Sequence, residues 1–479
     1  MRKENGYLTV YMAMCLTVIL SLCLTLIEGT RKNGGAMEAS CVADIGMQSV
    51  LAEYHRKLFD CYNLFAVDSS YGTKEHGSYN TEAHLLKYLE KNLALDEVFL
   101  SSFLYRDFLD LQVDGVKMTG MSILTDDGGA VFRRRAVEAV QDDVGISVLE
   151  EVQKWMEVID VNGLDTDETQ NEKAEADRRI QEYEYENEEG EIKQGIENPT
   201  KVLEEQRNKG ILKMVIEDQD TLSSKTLDLS NLIYSRMEQG KVSKGNLSLA
   251  ETQQGEEIME RFFFQEYLLR YMGHYGREDT ENALCYQIEY LVAGKNSDTD
   301  NLRSVANRIC ALREAANALY LMSDEEKKME VEVMADLISA ALTVPEIAPV
   351  LKVVIILGWA YAESVYDVKS LLAGGRIPLI KDDSSWHYGL DGALSGKLGD
   401  STAEGVGLSY EDYLRIFMAF TDLDKLTGRA MDMVEADIRM TEKNAWFCLV
   451  ACYDRVEFDI RMSSGFGYKY QMIRQRAYN

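Results

Sequence analysis

Apolar and polar positions set the start of the chain apart from the rest. Gly6 to Ile27 reads GYLTVYMAMCLTVILSLCLTLI and contains no charged residue. As a helix rising about 1.5 Å per residue it spans roughly 33 Å, enough for a bilayer core of about 30 Å. Tyr7 and Tyr11 stand where interfacial aromatics are expected. A cleavable signal peptide is the competing reading, but its apolar core is shorter and ends in small residues at a cleavage site. Here the run meets Glu28-Gly29-Thr30-Arg31-Lys32. The pattern therefore predicts an uncleaved anchor over residues 6–27 behind a tail of residues 1–5. Beyond it, Met37, Cys41, Ile45, Leu51, Tyr54, Leu58, Tyr62 and Phe65 recur at three- to six-residue intervals. That spacing continues the anchor into a long amphipathic helix, with Gly34-Gly35 as the place for a kink.

The remaining periodicities predict a helix-rich body. Asn63 to Asp68 ends the first helix and opens a strand. Thr81 caps a helix to Leu95, with Leu85, Leu86, Leu89 and Leu93 on its apolar face. Strands over Leu104–Val113 and Val116–Leu124 follow, joined by the turn dipeptide Asp114-Gly115. A helix then runs from Val131 to Val158. Helices are also expected over Lys201–Val215, Glu256–Tyr275, Asn301–Met322 and Val331–Val365, and a strand over Cys285–Val292. Val353 to Ala360 is the most apolar part of that last helix. Lys352 and Glu363 bracket too short a run to span a bilayer, so it reads as a buried core helix. Lys381 to Gly407 carries glycines 389, 392, 396 and 399 and reads as a mobile loop. Near the end, Val456, Phe458, Ile460 and Met462 alternate with charged residues; after Ser463-Ser464-Gly465 the alternation resumes at Phe466, Tyr468, Tyr470 and Met472. This predicts an antiparallel hairpin with one buried face. Helices and strands interleave irregularly, so the class is α+β.

Charge changes the picture in two ways. The 479 residues carry 51 basic and 81 acidic side chains, a net charge of −30. Such a surface repels phosphate backbones, and no nucleic-acid partner is expected without a basic patch. Arg133-Arg134-Arg135 is the one basic run, and with Glu138, Asp142 and Asp143 behind it, it reads as a solvated helix start. Acidic residues also crowd Asp165 to Lys193, where little can be buried. Residues 161–198 are therefore expected to form a solvated linker or exposed helix, between a first α/β unit at 28–160 and a second α+β unit at 199–479. Arg2 and Lys3 before the anchor nearly balance Arg31 and Lys32 after it. With the amino terminus adding a positive charge, the short tail is expected inside and the acidic bulk outside. A five-residue tail holds no signalling domain.

Candidate chemistry is sparse. Eight cysteines include no C-x-x-C; Cys448 and Cys452 are one helical turn apart, without a nearby histidine. Cys41, Cys61, Cys285 and Cys310 are widely spaced, so buried thiols or at most one disulfide are expected. Five histidines occur, at 55, 76, 84, 274 and 387, and none forms H-E-x-x-H. His76 and His84, with Glu75 and Glu82, make the only conceivable metal cluster and read as surface residues. Asp160 to Asp167 resembles a calcium loop only faintly, because the glycine is misplaced and the closing glutamate is off its spacing. There is no G-x-S-x-G elbow and no P-loop. No catalytic, cofactor-binding or metal residue is assigned, and no cofactor is implied.

Two stretches carry a resemblance. Gly6 to Met14, continuing through Leu26-Ile27-Glu28-Gly29-Thr30-Arg31, resembles the anchors of TadE- and TadG-like pseudopilins of tight-adherence pilus systems. Ala39 to Gly46 and Leu64 to Gly72 resemble a largely uncharacterised family of Gram-positive surface proteins associated with such pilus systems, and Ile288-Glu289-Tyr290-Leu291 and Arg313-Glu314-Ala315-Ala316-Asn317 continue the likeness. The resemblance implies an accessory role in pilus assembly or surface adherence and implies no known catalytic residues, and with candidate chemistry this sparse a non-catalytic protein with protein partners is expected. Prepilin-type processing at Gly6 would want a glutamate where Tyr11 stands, so a membrane-resident component fits better than a filament subunit. The alternative is an extracellular hydrolase whose carboxylate or histidine site the sequence does not disclose.

Overall fold

A computed structural model describes residues 5–94, 109–143, 145–162, 164, 166–186, 192–247, 254–396 and 405–478. In chain order the elements are α1 (Asn5–Leu51), α2 (Arg56–Tyr62), β1 (Val67–Asp68), α3 (Ser78–Leu93), β2 (Leu111–Ile123), α4 (Asp126–Glu138), α5 (Ile146–Val161) and α6 (Thr166–Glu182). A small ribbon of β3 (Glu184–Glu186) and β4 (Ile192–Gln194) precedes α7 (Lys201–Arg207), α8 (Ile211–Val215), α9 (Ile233–Glu238), α10 (Gln254–Tyr271) and α11 (Gln287–Ala293). Then come α12 (Asp298–Ser323), α13 (Glu325–Ala341), α14 (Ala348–Leu372), α15 (Leu390–Leu394), α16 (Tyr410–Phe420), α17 (Leu423–Met440), β5 (Cys452–Ser464) and β6 (Lys469–Ala477). The chain is a helix-rich α+β protein ending in an antiparallel hairpin. Two compact units form: Met1–Ala136, Arg236–Thr252 and Ile438–Asn479 make the first, Val137–Ser235 and Gln253–Asp437 the second. Both ends of the chain thus belong to one unit. The acidic segment supplies α6, whose Ala176 and Ile180 are buried.

The first unit is built on a sheet with β5 at its centre. β2 pairs along its length from Leu111 opposite Ser464 to Ile123 opposite Tyr453, while β1 and β6 also pair with β5, all antiparallel. The expected turn at Asp114-Gly115 does not form. β2 is one strand, with a register shift between Val113 and Gly115. The reason is that the thirteen residues of β5 offer a continuous partner, and a bulge absorbs the extra residue without ending the ladder. Asp114 instead accepts a hydrogen bond from the Ser463 hydroxyl, 2.7 Å away. Residues 104–108 of the other expected strand lie outside the described residues. Val456, Phe458, Ile460 and Met462 of β5 are all fully buried.

α1 runs as one continuous helix through Gly34-Gly35. Its first half is apolar and exposed; its second half packs with α3 on the sheet. The buried face there is Ala39, Val42, Ala43, Met47 and Val50, packed with Leu85, Leu89 and the β5 side chains. Of the expected face, Met37 is 71% and Ile45 46% exposed, while Leu58 and Tyr62, on the separate helix α2, are buried. Small residues win because the approach is close. A Cβ on Gly46 would stand 2.7 Å from Leu89 Cδ2, and one on Gly35 would collide with the Tyr470 hydroxyl. Thr81 lies buried inside α3, which starts after Gly77 instead.

In the second unit α12 lies along α14, and α6, α8, α13 and α15 flank α14. α14 is apolar and long enough to cross a membrane by composition, yet 67% of its most apolar window is buried. Trp359 on it is among the largest fully buried side chains. The strand expected over Cys285–Val292 is helix α11, buried from Gln287 to Val292. A short apolar run enclosed on every side leaves no period to distinguish helix from strand. Three expected single helices are each divided. Residues 139–145 part α4 from α5. Gly210, at φ +89°, parts α7 from α8, and Thr343, at φ +60°, with Pro345 parts α13 from α14.

Candidate functional site

The second unit holds a dense group of buried charges. Arg313 and Asn317 sit one turn apart on α12, Glu363 and Asp367 one turn apart on α14, and Lys381 follows in the chain; all five are fully or almost fully buried. Arg313 Nε donates to Asp367 at 2.9 Å, and Lys381 Nζ forms ion pairs with Asp367, at 2.6 Å, and with Glu363. Asn317 donates to Asp367 at 3.0 Å and to Ser364 Oγ at 3.1 Å. Arg313 also donates to the Pro378 and Leu379 carbonyls, and Glu363 accepts from the backbone N–H groups of His387 and Tyr388, each at 3.0 Å. Two cations thus face two carboxylates, and the segment from Pro378 to Tyr388 is tied to both helices. Burial alone would raise the Asp367 carboxyl, but Arg313 and then Lys381 outweigh it and hold it below the usual carboxylate range. The Lys381 ammonium also lies near the Trp386 and Tyr366 rings, at 5.6 and 5.9 Å. Lys381 is therefore no part of a mobile loop. The geometry suits a clamp: every charge is engaged inside the core.

A second polar centre surrounds Glu289 on α11. Its Oε1 accepts from the Tyr275 N–H at 2.8 Å and the Tyr410 hydroxyl at 2.7 Å, and Oε2 has no hydrogen-bond partner among the described residues. Burial pushes this carboxyl up to about 7. A cavity of about 420 Å³ is lined in part by Lys173, Asp177, Arg207, Cys310, Glu314 and Tyr361. Its acids are matched by cations: Glu314 pairs with Arg207, and Asp177 lies 3.2 Å from Lys173. Burial pushes the Glu314 carboxyl up despite Arg207, and it raises the Cys310 thiol well above its ordinary value. A thiol so placed is a poor nucleophile.

The residues singled out from sequence go to structural posts. Arg134 and Arg135 do not begin a solvated helix. Both pair with Asp454, which is fully buried on β5, and Arg135 also donates to the Tyr478 carbonyl at 2.6 Å. A buried carboxylate needs such cations, and the basic run supplies them. His84 pairs with Glu53 at 2.9 Å and stacks on Tyr71, Glu82 accepts from the Met118 N–H, and Glu75 accepts from Tyr79. Among the described residues, no three histidine, cysteine, aspartate or glutamate side chains gather to hold a metal. His55 caps α2 and bonds Asn444, while His274 and His387 bond the Tyr275 carbonyl and Glu363. No disulfide joins the cysteines; Cys41 and Cys61 are exposed, and Cys285, Cys310, Cys448 and Cys452 are buried. Gly163, Asp165, Gly399 and part of the acidic run, residues 187–189, lie outside the described residues.

The charge cluster escaped sequence reading although its signal was visible. Glu363 and Asp367 interrupt an apolar helix at a four-residue spacing, and taking Glu363 as the edge of the run hid that pairing. The stretch Arg313 to Asn317, noted above for its resemblance, supplies α12's share of the cluster. A family model described as a family of unknown function (DUF5702) matches residues 188–464. No curated protein and no solved structure matches the chain.

Proposed function

The chain belongs to this family of unknown function, DUF5702, and on that premise we propose that it is a membrane-anchored, non-catalytic accessory protein of a tight-adherence-type pilus or surface-adherence assembly. The amino terminus lies inside, residues 6–27 cross the membrane and the bulk stands outside. One observation supports this reading above the others. α1 is a single 47-residue helix, apolar and exposed in its first half and packed on a sheet in its second. A helix of that kind transmits the position of its membrane half to the folded unit without a flexible joint. Glu53, near its end, ties to His84 and to the Tyr88 hydroxyl at 2.6 Å, and the Tyr470 hydroxyl donates to the Lys32 carbonyl at 3.2 Å. A rigidly mounted body suits a part that holds partners in register, and the buried charges described above are engaged in fixing the fold.

The test is cross-linking in intact cells, gentle solubilisation, and identification of what co-purifies. Pilin-like subunits or an inner-membrane assembly platform are the expected partners. Recovery of the protein alone, under conditions that preserve a known pilus complex, would overturn the reading.

A further inference from the structure

We propose that the second unit binds a single-chain anionic amphiphile, its apolar tail between α5, α12 and α16 and its anionic head at Arg308. A cavity of about 580 Å³ lies there, within the range of small-molecule sites. Ile159, Leu164, Leu312, Ile416, Phe417 and Phe420 supply apolar lining, and Ser304, Asn307 and Arg308 supply polar groups from α12. Phe420 is 57% exposed despite its size.

The charge at this site runs against the rest of the molecule. In a chain with 30 more acidic than basic side chains, most well-placed guanidiniums find carboxylates: Arg207 finds Glu314, Arg313 finds Asp367 and Arg415 finds Glu266. Arg308 and Arg429 form no ion pair among the described residues. Both approach one acceptor, the Val292 carbonyl near the end of α11, at 3.5 and 3.1 Å. Arg429 is also bonded to the Leu291 carbonyl at 2.7 Å, which accounts for it as a helix cap. Arg261, which forms no close ion pair among the described residues but has Asp422 nearby, uses its donors on three carbonyls at the end of α16. Among the described residues Arg308 makes only this one long bond, so most of its five donors have no described partner. Burial and then the Arg429 charge push the Arg308 guanidinium down from its ordinary value, with no anion beside it among the described residues. An anionic head would relieve both effects. The tail is assigned as a hydrocarbon chain because a peptide would bring backbone groups needing partners, and the lining offers few.

The test uses the full chain in nanodiscs, with empty nanodiscs as the blank. Radiolabelled dodecanoate, lauroyl lysophosphatidate and dodecanol are the probes. Saturable one-site binding of either anion above the blank is expected, and the tighter of the two identifies the head group. Arg308→Gln should weaken the anion about tenfold and leave dodecanol unchanged. Phe420→Ser should weaken all ligands that bind. Absence of saturable binding by both anions, or anion binding that Arg308→Gln leaves unaltered, would overturn the proposal.

Discussion

Lys381 decides how the second unit's core tolerates charge. It is the shared cation of Glu363 and Asp367, and all three are fully buried. Replacing it with methionine leaves Asp367 with Arg313 and takes from Glu363 its lysine partner. Removing one partner of a buried ion group costs about 3–5 kcal/mol, so Lys381→Met should lower the urea midpoint accordingly. Lys381→Met combined with Glu363→Gln should recover part of that loss. Glu289 gives a pH signature of its own. The unfolded chain releases this proton near the ordinary 4.5 and the folded chain near about 7. Between those values the folded state binds more protons, so stability falls as pH rises through this window. The loss is about 3 kcal/mol once pH passes 7. Glu289→Gln keeps an acceptor for Tyr275 and Tyr410 and should flatten that part of the pH–stability curve. A slope between pH 4.5 and 7 equal to that of the unmutated protein would contradict the assignment.

At the scale of elements, the second half of α1 depends on small residues. Gly46→Leu forces Leu85 and Leu89 to shift and should cost about 1–3 kcal/mol. Met37→Ser, on the exposed face, should stay within about 0.5 kcal/mol in the same denaturation experiment. The opposite order of effects would mean that α1 packs by the other face. The contrast also marks what sequence discloses. The apolar first half of α1 and the alternation of β5 were legible because one is apolar all round and the other buries a single face. The packing face of α1 was not, because it mixes Gly35, Ala39, Ala43 and Gly46, which a search for large apolar residues passes over, with Val42, Met47 and Val50. α11 defeated the reading because it is enclosed on all sides. Arg134 and Arg135 looked solvated because their partner, Asp454, lies over 300 residues away in sequence.

For the whole molecule, the two units interleave along the chain, and the C-terminal hairpin completes the sheet on which the N-terminal helix rests. Truncating the chain before β5 would therefore expose the α1 face as well as remove the hairpin. The charge cluster of the second unit was foreshadowed only by charges inside apolar helices, since the partner across the core has no fixed sequence distance. The central claim is that residues 6–27 stay attached and hold the body outside a membrane. It is tested most directly by treating intact cells with a membrane-impermeant maleimide, then extracting membranes with carbonate and weighing the labelled protein by mass spectrometry. The account predicts a carbonate-resistant chain that retains residues 6–27 and is labelled at the exposed Cys41 and Cys61. A shortened chain lacking the apolar run, or thiols that react only after the cells are permeabilised, would contradict it.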